Sequence, residues 1–151
     1  MTVGTIAGAI GKGLVAGAAG TVAMTISSTL EMKARGREQS TAPAEAAERV
    51  LGVEPKGESE ETRLNTLVHF GYGTGWGIPR GLLGLVMSGP MATATHFLAV
   101  WGTALGMLPG LGVAPPPTQW GAKEVAVDAW HHAVYAVVTG LVFDLLDRDR
   151  S

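Results

Sequence analysis

Six polar side chains stand within otherwise apolar sequence: His69, Tyr72, Asp128, His131, His132 and Tyr135. Imidazole and carboxylate groups bind metals, move protons and form hydrogen bonds. Their spacing repeats. His69-x-x-Tyr72, with Gly77 five residues on, recurs as His132-x-x-Tyr135, with Gly140 five residues on, and the two copies hold both tyrosines of the chain. His69 and His132 are therefore expected at similar depth, facing one another. Two imidazoles on facing helices could ligate haem iron axially. Alternatively Asp128, with His131 or His132 and His69, could hold a divalent metal. The Asp128-x-x-His131 spacing puts both groups on one helix face, as in carboxylate–histidine metal pairs. The plainer expectation is a layer of interfacial His and Tyr groups bonded to one another and to nearby loop carbonyls. The sequence holds no cysteine, no haem-attachment motif and no His-Glu-x-x-His zinc motif. The expectation is thus no cofactor, with haem or a divalent metal on His69 and His132 as the alternative.

A second polar layer consists of Arg80 and Asp144. Arg80 lies 11 residues beyond His69, and Asp144 lies 12 beyond His132. At about 1.5 Å of rise per helical residue the two reach nearly the same depth. An ion pair inside the membrane is expected, because an unpaired charge there is costly. His96 has no counterpart in the other repeat and no evident carboxylate, so it reads as a satisfied packing histidine.

The elements that carry these groups are apolar helices. Residues 13–30, 64–79, 81–122 and 129–143 contain no Asp, Glu, Lys or Arg. Charged residues make up 16% of the chain, against about a quarter in soluble domains. Apolar stretches of about 18 residues or more read as membrane spans, and glycine, present 22 times, is more frequent in such spans than in soluble helices. The expectation is an all-α, integral membrane four-helix bundle in a single domain over 1–151. Its spans are about 5–30, 64–83, 91–108 and 125–146. The polar loop 31–63 should contain a short amphipathic helix from Pro43 to Leu51, with Ala44, Ala47, Val50 and Leu51 on one face. Glu54 to Arg63 reads as an exposed acidic turn, and Glu31 and Lys33 as solvated helix ends. The order span, loop, span, then span, loop, span implies a two-plus-two helix-pair duplication.

Gly13, Gly17 and Gly20 give the first span a stripe nearly free of side chains, which suits close helix packing in lipid. The stripe serves either packing within the chain, or self-association or contact with another membrane protein. The net charge of −2 gives no basic footprint for nucleic acid. Basic residues near span ends fall on both sides and leave orientation open.

Several features resemble the YagU-like family of bacterial inner-membrane proteins. These are Gly13-Leu14-Val15-Ala16-Gly17 opening a span, Leu108-Pro109 to Pro115-Pro116 after the third span, and a histidine-bearing last span closing with Asp147-Arg148-Asp149-Arg150. The first loop is shorter than that family's pattern. The resemblance implies a multispan protein of the inner membrane with a cytoplasmic N-terminus, and it brings no catalytic residues. The chain lacks a nucleophile–base set and a phosphate loop. A non-enzymatic structural or interaction component, or a conduit for protons or small solutes, is expected. The alternative is a haem- or metal-binding subunit.

Overall fold

The structure is a computed structural model and describes residues 1–148, so Asp149 and Arg150 of the closing motif lie outside the described residues. The described chain is all-helical: α1 (Val3–Arg35), α2 (Ala42–Leu51), α3 (Glu58–Leu83), α4 (Gly89–Gly110) and α5 (Ala122–Asp147), with one short 3-10 turn at Pro117–Gln119. Three helices, α1, α4 and α5, are long and apolar enough to cross a membrane. α3 is also long, but Asn65, Thr66, His69, Thr74, Arg80 and its alternating glycines dilute its apolar character.

Local chemistry accounts for the helix ends. The Thr2 hydroxyl accepts from the Thr5 amide, which caps α1. Gly36 and Gly52 close α1 and α2 in the left-handed conformation that glycine adopts without penalty. α3 begins at Glu58, six residues before the expected span, so the acidic turn expected up to Arg63 is partly helix. Glu58, Glu60 and Glu61 sit in its first turn, where carboxylates favour the helix dipole. Helix α2 also departs from expectation. Ala44, Ala46 and Ala47 are its buried residues, while Val50 and Leu51 are exposed. Asn65 of α3 fixes that orientation: its Oδ1 accepts from the Ala44 amide and its Nδ2 donates to the Ser40 carbonyl. The bonded first turn of α2 is thereby drawn onto α3, and its last turn swings clear.

α1 is the central helix, packed between α3 and α5. Contact with α3 is backbone to backbone. A Cβ at Gly77 would overlap the Gly13 carbonyl, and one at Gly17 would lie 2.7 Å from the Thr74 carbonyl. Gly20 packs under the Thr139 side chain and the Tyr135 backbone and ring of α5, and Gly140 of α5 under the Thr93 side chain of α4. Tight approach through small residues is the packing mode available when apolar burial supplies little drive, as in lipid. Accordingly the core is thin: Val100, Tyr135 and Ala136, flanked by Met24, Trp76 and Phe97.

Candidate functional site

The expected His/Tyr layer separates into three hydrogen-bonded groups, each on a different helix pair. Between α1 and α3, His69 Nε2 lies 3.0 Å from Thr25 Oγ1. The Thr25 hydroxyl donates to the Thr21 carbonyl at 2.8 Å. Its oxygen is therefore the acceptor, and His69 donates through Nε2. Between α4 and α5, Trp101 Nε1 donates to Asp128 Oδ2 at 2.8 Å, and His132 Nδ1 donates to the Asp128 carbonyl at 2.9 Å. Between α1 and α5, His131 Nδ1 lies 2.9 Å from Ser27 Oγ, while its Nε2 stands 3.8 Å from Glu31 Oε2.

Asp128 and His131 therefore serve different neighbours. Three residues carry the chain about 300° around a helix, and the remaining angle turns Asp128 towards α4 and His131 towards α1. The repeated motif also splits in use. Tyr135 is buried and donates to the Gly73 carbonyl at 2.6 Å, whereas Tyr72 is exposed and meets the Trp76 ring edge-on. Among the described residues no three His, Asp or Glu side chains converge as a metal-ligand set. His69 and His132 each spend one ring nitrogen on a protein partner, leaving His69 Nδ1 and His132 Nε2 as the nitrogens that a cofactor would engage.

Glu31 is not the solvated end expected. Its side chain is 14% exposed and receives hydrogen bonds from Arg35 and Arg37. Arg35 also pairs with Glu124 of α5, which ties the ends of the two helices together. A groove of about 320 Å³ opens beside this cluster, lined by Ser27, Glu31, Lys123, Val127, Trp130 and His131, among others.

The second layer lies 11 residues beyond His69 along α3. Arg80 Nη2 donates to Asp144 Oδ1 at 2.6 Å, so the structure brings α3 and α5 together at the depth expected from residue counting. Arg80 is fully buried, with its guanidinium 4.7 Å from the centre of the Phe143 ring, while the Asp144 side chain is 46% exposed. Lys12 and Asp147 pair nearby at the same end, 2.9 Å apart.

The arrangement also contains polar groups that spacing alone did not single out as a set. Arg80, His96 and Thr139 are all 0% exposed. His96 Nε2 donates to the Trp76 carbonyl at 2.9 Å, but its Nδ1 has no partner. Arg80 Nε and Nη1 are likewise unpartnered among the described residues. His96 is therefore only half satisfied, contrary to expectation, and its ring lies 5.6 Å from that of Tyr135. The contacts among these groups are separate steps along the bundle: Arg80 with Asp144, the His96 ring beside that of Tyr135, Tyr135 bonded to the Gly73 carbonyl, and Thr25 bonded to His69. A histidine without repeat partner was the available clue, but its significance depends on Arg80 and Thr139 sharing the interior. Neither the family models, nor the curated proteins, nor the solved structures compared with this chain gave a match.

Proposed function

We propose that the chain is a non-enzymatic, four-span membrane protein whose interior polar groups conduct protons or small solutes. One observation carries the reading: Arg80 and His96, both fully buried, hold polar atoms with no partner among the described residues, and Thr139 is fully buried as well. Burying a polar group without a hydrogen bond costs free energy. Ionisable residues inside a membrane are rare and commonly mark ion and proton paths. In this reading α3 is the fourth span. Its polar composition suits a helix that faces these groups on one side and α1 on another. The order α1, α3, then α4, α5 is a two-plus-two duplication. Both pairs bring an α3 or α5 repeat glycine, Gly77 or Gly140, against the preceding helix. The resemblance to the YagU-like family supports placement in a bacterial inner membrane. Self-association is assigned to α4, whose exposed Gly102, Gly106 and Gly110 have open space where a Cβ would stand.

The test is flux in sealed vesicles carrying the purified protein. Proton or small-ion permeability above that of protein-free vesicles is expected, with a several-fold loss in His96→Leu. Vesicles as tight as the protein-free control for protons, potassium and chloride would contradict the reading.

A further inference from the structure

The next inference rests on the conduit reading and names its solute. A guanidinium remains protonated and carries five N–H donors and no acceptor. In Arg80 only Nη2 is engaged, by Asp144, while Nε and Nη1 have no partner among the described residues and the side chain is fully buried. Only an acceptor can complete that hydrogen bonding, and an anion does so while also balancing the charge. Neutral His96 offers an anion no free donor. Its Nε2 donates to the Trp76 carbonyl, so its Nδ1 presents a lone pair. The flanking backbone packs closely against the pair, so the place an anion can take is the one the Asp144 carboxylate fills. A Cβ at Gly84 would lie 3.1 Å from Arg80 Nη1, and one at Gly89 would lie 2.5 Å from Asp144 Oδ2. Asp144, with a side chain 46% exposed, stands between the guanidinium and the outside.

We propose that Arg80 is a binding site for a small monovalent anion of halide or nitrate type, and that Asp144 is its built-in competitor. The anion enters as the carboxylate swings outward, so one negative charge replaces another beside the same guanidinium. The guanidinium keeps one anionic partner at either stage.

The experiment is thermal unfolding of the full chain in detergent, titrated with sodium chloride or nitrate against sodium gluconate at constant ionic strength. A saturable stabilisation is expected for the wild type, as for any ligand that binds only the folded state. Asp144→Asn should saturate at an about tenfold lower anion concentration, because close charge pairs couple by amounts of that order. The double variant Arg80→Gln, Asp144→Asn keeps a neutral hydrogen-bonding pair and so guards against misfolding. It should show no saturable response. An Asp144→Asn protein without a response, or a double variant responding like the wild type, would overturn the site. A response only on adding phosphatidylglycerol would assign the guanidinium to a lipid headgroup and overturn the small-anion reading. Anion binding without flux in vesicles would contradict the conduit and keep the site. Proton flux without anion binding would remove the site and keep the conduit.

Discussion

Arg80 places a permanent charge in the interior, and Asp144 is its only protein hydrogen-bond partner among the described residues. The two ends of this pair differ. Removing Asp144 strands a fully buried guanidinium, whereas removing Arg80 leaves a half-exposed carboxylate that can rehydrate. Breaking a buried pair from one side costs about 3–5 kcal/mol. Asp144→Ala is therefore expected near that range and Arg80→Ala below it on electrostatic grounds. The double replacement should cost less than the sum of the two. A double-mutant cycle of unfolding in detergent measures this, and strictly additive losses would contradict the pairing. This pair was legible in the sequence because depth follows from residue counts along two helices. The partners of His131 were not. They depend on which neighbour α1 presents at Ser27 and Glu31, and residue spacing on α5 carries no such information.

At the scale of elements, glycine does two kinds of work. Gly13, Gly17 and Gly77 lie in a contact where any side chain would strike backbone, so α1 and α3 approach only through glycine. Gly102, Gly106 and Gly110 follow one face of α4 and meet nothing. Gly77→Leu should therefore abolish the folded monomer, while Gly106→Leu should leave it folded and weaken self-association. Helical content and cross-linking in mild detergent separate these outcomes. Unchanged folding in Gly77→Leu would contradict the packing, and unchanged cross-linking in Gly106→Leu would remove α4 as the contact. The apolar helices were legible from their charge-free runs, since a helix in lipid carries its signature in composition. The start of α3 was less so. Its acidic first turn reads as loop by charge, yet the same carboxylates stabilise a helix N-terminus.

For the whole molecule, the question is whether α3 crosses the membrane with α1, α4 and α5. Four crossings put Thr2 and Ser59 on opposite faces, with the region after α5 on the same face as Thr2. Three crossings separate the two termini. The chain has no native cysteine, so Thr2→Cys, Ser59→Cys and Arg148→Cys can each be labelled alone in sealed vesicles with an impermeant maleimide. Thr2→Cys and Arg148→Cys should share one sidedness and Ser59→Cys the other. Opposite labelling at positions 2 and 148 would contradict the four-span topology. This scale was the least legible from sequence. The repeat His-x-x-Tyr suggests two equal halves, yet the buried Tyr135 and the exposed Tyr72 do different work.

The path of interior polar groups is the centre of the account, and flux through it is the most direct measurement. Sealed vesicles containing wild-type protein, His96→Leu, or the Arg80→Gln, Asp144→Asn double variant would be compared for proton and chloride permeability at matched protein content. The account predicts permeability well above protein-free vesicles for the wild type and a several-fold loss in both variants. Wild-type vesicles no leakier than the protein-free control would contradict it.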